Sequence, residues 1–299
     1  MSNNKLKIII TDSGFGGLSV HAKLDRTLKK LKNIGDIELV FFNSYAGIGY
    51  GYNELNDIEE KLKVFNSALT GITKLRPDII LIACNTLSIL YPKTIYSKES
   101  KIPVLGIVNS GVEQVLESVN ISDNYFIIIF GTETTINSKI YQNMILEQGF
   151  SNEKIIAQGC KNLESEIQIN PSGEKVKELI TKYVNKVAER IQDKRFEKIV
   201  LVLACTHYGF SEKIFKEKLK NKFNQDIIIL NPNEKIVNKT LNFITSEKRI
   251  GTKITNKVYS KNEYSEEQIR SLADLIEKDS PSLREALLKI NYSANLFSV

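Results

Sequence analysis

The sequence predicts an α/β protein built from two similar domains, each with a parallel β-sheet covered by helices. Short, almost continuously apolar runs rich in β-branched residues alternate with longer amphipathic stretches, which is typical of buried parallel strands separated by helices. Part of this pattern occurs twice, which indicates an internal duplication. A length of 299 residues with 42% hydrophobic residues is enough for two domains with cores of their own.

Eight runs have the length and composition of buried strands. In order they are Lys7–Thr11, Ile37–Phe42, Asp78–Ala83, Val104–Val108, Tyr125–Phe130, Lys154–Ala157, Lys198–Ala204 and Asp226–Leu230. Four stretches between them carry apolar residues at helical spacing, namely Leu18–Lys32, Asn56–Leu75, Thr135–Gln148 and Lys175–Lys194. Strands that alternate with helices in this way favour a parallel sheet.

The duplicated pattern is a strand that ends in Ala-Cys, a helix-compatible stretch and a second strand. Pro77–Thr86 reads PDIILIACNT, and Glu197–His207 reads EKIVLVLACTH. Ligands in open α/β sheets bind beyond the carboxyl ends of the strands, which is where Cys84 and Cys205 are expected. The free N–H groups at the start of the following helix favour an anion there and lower the pKa of a thiol.

Composition excludes several classes of protein. Charged residues make up 25% of the chain, the usual fraction for a soluble domain, so disorder and a collagen-like repeat are excluded. The net charge of +6 is spread along the chain, so we expect no nucleic-acid partner.

No apolar run approaches the ~20 residues that span a bilayer, and no signal peptide is recognised. Three scattered cysteines suit a reducing compartment, so we expect a cytoplasmic protein without a membrane partner.

The turn after the first strand reads Asp12-Ser13-Gly14-Phe15-Gly16-Gly17. It departs from the dinucleotide fingerprint because Ser19 holds the third glycine position, and the sequence has no phosphate-binding G-x-x-x-x-G-K-S/T. A nucleotide site is therefore unsupported, and a plain βα turn remains an alternative. Asp12, at the end of a strand, can orient or deprotonate a thiol that it faces.

Several interpretations of the cysteines remain open at this point. A cysteine after an apolar strand is commonly a small buried hydrophobe. A metal site is not expected, because the cysteines are isolated and the chain has only 2 His, whereas zinc ligands cluster. A Cys–His nucleophile with His207 as base would leave Cys84 without a role. We expect Cys160 to be structural and His21 to have a surface or packing role.

Together these motifs resemble the aspartate/glutamate racemase superfamily, and within it most closely the glutamate racemases. The matching pieces are Asp12–Val20, Tyr50-Gly51, Ala83–Thr86, Gly131–Ser138 with Tyr141, Ala204–Tyr208 and the tail Val258–Ile276. The resemblance implies two α/β domains that face each other across a cleft. It places residues 1–110 and 226–299 in the first, discontinuous domain and residues 111–225 in the second.

The resemblance also implies an isomerase that interconverts L- and D-glutamate without a cofactor or metal, for peptidoglycan biosynthesis. Its only expected partners are a small amino-acid substrate and a second copy of the chain in a homodimer. Cys84 and Cys205 would be catalytic, one from each domain, with Asp12 and His207 supporting the two thiols. The substrate's amino and carboxylate groups would be held by Ser13, Tyr50, Gly51, Asn85, Thr86, Thr132, Thr135 and Thr206.

Two thiols suit this chemistry for a geometric reason. Racemisation removes a proton from one face of the α-carbon and returns one on the opposite face, so two acid/base groups are needed. A thiol has an ordinary pKa of ~8.5 and can serve as thiolate or thiol near neutrality with modest tuning. Hydrogen-bond donors must stabilise the substrate carboxylate, whose charge grows in the transition state.

The sequence departs from the family's pattern at several positions near the expected substrate. Ser44, Gly47 and Gly49 stand where the family has Asp, Arg and Pro, Gln168 stands for a Glu, and Gly209 stands for a common Pro. Aspartate or another small dicarboxylate therefore remains an alternative substrate. A non-catalytic protein that binds a carboxylate is the alternative from another class.

Overall fold

The computed structural model describes residues 5–55, 57–192, 194–244 and 252–298. The chain divides into two compact units, of which the first contains residues 1–107 and 236–299 and the second residues 108–235. The chain therefore leaves the first unit and returns to it once. Within the described ranges, no helix is both long enough and apolar enough to cross a membrane.

Ten strands and thirteen α-helices alternate along the described residues. The strands are β1 (Leu6–Asp12), β2 (Gly35–Asn43), β3 (Ile79–Ile82), β4 (Val104–Gly106), β5 (Tyr125–Gly131), β6 (Ile155–Gly159), β7 (Lys198–Ala204), β8 (Asp226–Leu230), β9 (Thr252–Ser260) and β10 (Asn291–Tyr292). The helices are α1 (Leu18–Leu28), α2 (Ile58–Lys74), α3 (Asn85–Leu90), α4 (Ile95–Glu99), α5 (Ile107–Ser118), α6 (Glu133–Asn137), α7 (Ile140–Leu146), α8 (Leu163–Ile169), α9 (Glu174–Ile191), α10 (Glu212–Lys222), α11 (Pro232–Ile244), α12 (Glu266–Glu277) and α13 (Pro281–Leu288). Short 3₁₀ turns occupy Tyr91–Lys93, Asn152–Lys154 and Thr206–Ser211.

Each unit has one sheet, and all the strand pairings described are parallel. The first sheet has the order β10-β9-β2-β1-β3-β4, and the second has the order β6-β5-β7-β8. The predicted α/β class with two parallel sheets is confirmed. The order β2-β1-β3-β4 matches β6-β5-β7-β8 strand for strand, so β3 and β7, which precede Cys84 and Cys205, take equivalent places.

The central strands are apolar because helices cover both faces of each sheet. Ile8–Ile10 of β1 and Ile79–Ile82 of β3 are fully buried, and so are Ile127–Phe130 of β5 and Ile199–Val202 of β7. Each such side chain contributes on the order of 2 kcal/mol by leaving water. These strands therefore hold their carboxyl ends, and the polar residues that follow them, in fixed positions.

Some predicted elements differ from those in the structure. The stretch Thr135–Gln148 forms two helices, α6 and α7, because Lys139 between them adopts a left-handed conformation with φ 56°. β4 ends earlier than predicted because Ile107 begins α5. Two residues of predicted helices, Asn56 and Asp193, lie outside the described residues.

The domain boundary predicted after residue 225 would place β8 in the first unit. The structure places β8 in the second unit, because it pairs with β7 from Lys198↔Asp226 to Val202↔Leu230. The chain returns to the first unit inside α11, between Lys235 and Ile236.

The segment Asn291–Ser298, here called the C-terminal segment, completes the first unit. β10 pairs with β9 at Tyr259 and Ser260, so this segment lies at the carboxyl end of the sheet. Phe297 is 3% exposed and packs against Phe42 with ring centroids 5.8 Å apart. Lys261 Nζ donates to the carbonyl oxygen of Phe297 at 3.0 Å.

Candidate active site

The expected site residues form two groups, one in each unit, and each group follows the carboxyl ends of the strands. The first unit carries Asp12, Ser13, Tyr50, Gly51, Cys84, Asn85 and Thr86. The second unit carries Thr132, Thr135, Cys205, Thr206 and His207.

In the first unit, neighbouring strand ends bring Ser13 and Cys84 together. The Ala83 N–H donates to the Thr11 carbonyl at 2.9 Å, so β1 and β3 stay paired to their last residues. Ser13 Oγ lies 3.2 Å from Cys84 Sγ. Cys84 is 6% exposed and precedes the first turn of α3. The structure therefore places a hydroxyl within hydrogen-bond distance of the first thiol.

Asp12 is buried beside this thiol. Its Oδ1 accepts a hydrogen bond from the Gly14 N–H at 3.1 Å. Gly17 approaches its side chain so closely that an added Cβ would lie 2.9 Å from Asp12 Cβ. The glycine of the turn therefore makes room for the carboxylate. Burial, and next the charge of Asp12, raise the pKa of Cys84 from its ordinary 9.0 to about 12, so Cys84 is a thiol at neutral pH.

Asn85 and Thr86 open α3 and are each 3% exposed, so they follow the thiol directly on a rigid element. Tyr50 and Gly51 lie instead on the loop that follows β2, in residues 44–55, where Gly47 and Gly49 adopt positive φ values of 122° and 81°. Tyr50 is 49% exposed, whereas Gly51 is buried. The structure therefore places these two residues on a loop, whereas Asn85 and Thr86 lie on a helix.

Sequence reasoning missed Tyr52 as a neighbour of the first thiol. Tyr52 is 2% exposed and belongs to the same hydrophobic cluster as Cys84. Burial, and next the charge of Cys84, raise the pKa of Tyr52 well above its ordinary value. Within the described ranges its hydroxyl has no hydrogen-bond partner. An aromatic residue two positions after Tyr50 was the only sequence signal.

In the second unit, Gly131 at the end of β5 pairs with Ala204 at the end of β7, so Thr132 and Cys205 follow adjacent strand ends. The Thr132 hydroxyl donates to Thr135 Oγ1 at 3.1 Å and accepts from the Thr135 N–H at 3.3 Å. Thr206 is held through its carbonyl oxygen, which accepts from Asn233 Nδ2 at 3.0 Å. The expected threonines are therefore buried and placed by caps and turns.

His207 lies between the second thiol and α8. Its Nδ1 is 3.8 Å from Cys205 Sγ, and its Nε2 is 3.1 Å from Gln168 Oε1. Burial lowers the pKa of His207 from 6.5 to about 4, so the imidazole is neutral at physiological pH. Cys205, which is 7% exposed, therefore has a neutral ring nitrogen as its neighbour.

Tyr141 is the second residue whose place near a thiol was not foreseen. It was recognised as part of a motif, but it was not assigned to the site. Tyr141 is 2% exposed. Burial, and next the charge of Cys205, raise its pKa. Each thiol thus has a buried phenol in its surroundings, Tyr52 for Cys84 and Tyr141 for Cys205.

Cys160 and His21 are both buried inside their units, and Cys160 belongs to the same core cluster as Cys205. Cys160 is fully buried in the core of the second unit, and its N–H donates to the Gly131 carbonyl at 2.9 Å. His21 is also fully buried, with Nε2 2.7 Å from Asn256 Oδ1, so it packs inside the first unit. None of the three cysteines forms a disulfide within the described residues.

Among the described residues, no group of three or more His, Cys, Asp and Glu side chains could hold a metal ion.

Comparison with known proteins places these two groups in context. The model of the Asp/Glu/Hydantoin racemase family matches residues 12–238. The glutamate racemase of Aquifex pyrophilus is 29% identical over 247 residues, which cover 81% of this chain and 85% of that protein. The glutamate racemase of Campylobacter jejuni is 29% identical over 228 residues, which cover 75% and 83%. The crystal structure of glutamate racemase from Francisella tularensis in complex with D-glutamate has the same fold, with a TM-score of 0.69, 20% identity and coverage of 97% and 96%.

Proposed function

The chain belongs to the Asp/Glu/Hydantoin racemase family, and on this premise we propose that it interconverts L- and D-glutamate with two thiols and no cofactor. The family match and the similar glutamate racemases support the reaction and its substrate. The observation that supports both thiols as the catalytic groups is that they occupy equivalent positions in the two units. Cys84 and Cys205 follow equivalent strands of the two sheets, and each lies beside a group that can exchange a proton with it.

The chemistry requires the two thiols to take opposite roles. One thiolate removes the α-proton of the substrate, and the other thiol supplies a proton to the opposite face. The roles are exchanged for the other enantiomer. Cys84 is held as a thiol by burial and by Asp12. The positive ammonium group of a bound amino acid would offset the charge of Asp12 and favour the thiolate.

The remaining expected residues supply hydrogen-bond donors for the substrate. Charge develops on the substrate carboxylate as the α-proton leaves, and fixed hydroxyl and amide groups stabilise that charge without reorganisation. These donors are Ser13, Asn85, Thr86, Thr132, Thr135 and Thr206, with Tyr50 and Gly51 on the loop. The departures at Ser44, Gly47 and Gly49 keep aspartate as a second candidate substrate.

The proposal also covers the compartment, the oligomeric state and the use of the product. A cytoplasmic homodimer that provides D-glutamate for peptidoglycan biosynthesis agrees with the family resemblance. Analytical ultracentrifugation of the purified protein tests the dimer independently of the reaction.

The reaction is tested by incubating the protein with each enantiomer of glutamate and of aspartate in D₂O without pyridoxal phosphate. We expect both glutamate enantiomers to lose optical purity and to gain α-deuterium. Cys84→Ala and Cys205→Ala should each abolish the inversion, whereas Cys160→Ala, a matched change at the buried third thiol, should retain it. Binding of glutamate without exchange would instead favour a non-catalytic protein, and exchange with aspartate alone would correct the substrate.

A further inference from the structure

Two consecutive contacts connect the amide of Gln168, the ring of His207 and the thiol of Cys205. Gln168 Oε1 is 3.1 Å from His207 Nε2, and His207 Nδ1 is 3.8 Å from Cys205 Sγ. Gln168 belongs to α8, whose buried residues Leu163 and Ile167 lie in the same core cluster as Cys205. Packing of the helix therefore sets the position of the amide.

A second contact fixes the turn that carries His207 against the chain after α8. Ser211 Oγ, at the end of the 3₁₀ turn, donates to the Pro171 carbonyl at 2.7 Å. Ser211 is 2% exposed, so this hydrogen bond is shielded from water. The distance between Gln168 and His207 is therefore set by the fold and not by two free side chains.

These two contacts determine which ring nitrogen of His207 carries the hydrogen. An amide oxygen only accepts hydrogen bonds, so Nε2 of His207 must be the N–H that donates to Gln168. A neutral imidazole has one N–H, so Nδ1 carries the lone pair that faces Cys205. The thiol is then the donor in the second contact.

The charged and titratable groups on the neighbouring elements do not change the state of the ring. They are Cys205 after β7, Tyr208 on the 3₁₀ turn, Tyr141 on α7, Glu164 and Glu166 on α8, and two glutamates and five lysines on α10. None of them contributes to the lowered pKa of His207, which burial alone causes. The uncharged amide of Gln168 is therefore what the ring meets at Nε2.

We propose that Gln168 is a positioning residue that holds His207 as the neutral Nε2–H tautomer and aims its bare Nδ1 at a protonated Cys205. When the thiolate is needed, the S–H bond breaks and an N–H bond forms at Nδ1, which leaves a thiolate beside an imidazolium. The reverse transfer restores the thiol and the neutral ring. A carboxylate at residue 168 would instead hold a permanent imidazolium and a permanent thiolate. The expected effect of Gln168 on the pH profile of racemisation rests on the proposed function, whereas the tautomer of His207 does not.

The tautomer is tested on the whole protein by NMR of ¹⁵N-labelled histidine, which is simple because the chain has only 2 His. His207→Asn assigns the two sets of signals. We expect His207 to be the neutral Nε2–H tautomer at neutral pH and to remain neutral down to a pH of about 5. An Nδ1–H tautomer or an imidazolium at neutral pH would overturn the proposal without any variant of Gln168.

Variants of Gln168 then test its control over the ring and the thiol. Gln168→Glu should raise the pKa of His207 and increase the alkylation of Cys205 at neutral pH by about tenfold, which corresponds to one pKa unit. Gln168→Met, which removes the acceptor without adding charge, should allow the Nδ1–H tautomer to appear. Gln192→Glu, at an exposed position after α9, is the charge-matched control and should change neither readout.

Activity provides the last comparison. The pH profile of kcat/KM for Gln168→Glu should move to lower pH together with the alkylation profile of Cys205, measured by peptide mass spectrometry without substrate. If His207 and Cys205 respond as expected in a protein without racemase activity, the proposed function fails and the role of Gln168 stands. If neither responds to Gln168→Glu, the role of Gln168 fails whatever the activity.

Discussion

At the scale of single residues, the two thiols have different proton-exchanging neighbours. Cys84 has a buried carboxylate, Asp12, whereas Cys205 has a buried neutral imidazole, His207. The strand-end position of both cysteines was predictable, because a buried strand leaves a clear apolar pattern. The neighbour Tyr52 was not predictable, because it reaches Cys84 through packing of another element, which local periodicity does not encode. Gln168 stood out in the sequence only as a departure from the family's pattern, and its contact with His207 depends on the packing of α8.

Replacing Asp12 by Asn separates two effects of the carboxylate. The pKa of Cys84 should fall, because a negative charge next to the thiol is lost. Alkylation of Cys84 in the substrate-free protein should therefore begin at lower pH than in the wild type. Racemisation should nevertheless slow by about 10²-fold, because the group that exchanges a proton with the thiol is also lost.

Peptide mass spectrometry separates Cys84 from the other two cysteines in this experiment. Asp274→Asn, at an exposed position of α12, is the matched control. An unchanged alkylation profile in Asp12→Asn would show that burial alone sets the protonation of Cys84.

At the scale of elements, the C-terminal segment supports the first thiol from behind. Phe297 belongs to the same hydrophobic cluster as Cys84 and Tyr52, and the Leu296 carbonyl packs so closely on α2 that a Cβ at Gly71 would lie 2.6 Å from it. No sequence pattern indicates this role, because a two-residue strand has no periodicity to recognise. The first half of β9 escaped prediction for a related reason, since its residues are exposed or half-buried and mostly polar.

Phe297→Ala should destabilise the protein by about 3 kcal/mol, because a buried ring is lost and a cavity remains. Urea denaturation followed by circular dichroism measures the loss. Leu288→Ala removes an apolar side chain that is 37% exposed in the same region of the sequence, so it should cost far less. Equal losses for the two variants would contradict the packing role of Phe297.

At the scale of the whole molecule, the repeated Ala-Cys motif predicted two similar α/β units, and the structure shows that four strands of each unit share one order. Two short sequence matches sufficed for this because each marks the end of a central strand. The position of the second boundary was not predictable from those matches. The boundary depends on the pairing of β8 with β7. The partner of a parallel strand can be identified only when the whole sheet is known.

The second unit is one continuous stretch, so residues 108–235 should fold when produced alone. This stretch carries all four strands of its sheet and a hydrophobic core cluster of its own. We expect a single cooperative urea transition for this fragment. Residues 1–107 provide the contrasting fragment, which lacks β9 and β10 and should show no such transition. A fragment 108–235 without a cooperative transition would mean that its sheet depends on the rest of the chain.

The return of the chain to the first sheet has a consequence for biosynthesis. β2 lies beside β9 in the finished sheet, yet more than two hundred residues separate them along the chain. As the polypeptide leaves the ribosome, the second unit is complete while one edge of the first still waits for its partner strand. That nascent edge exposes unpaired backbone groups, which invite pairing with other chains. Translation speed and chaperones that shield strand edges should therefore affect the yield of this protein, because they act on the edge of the first unit while it waits for β9.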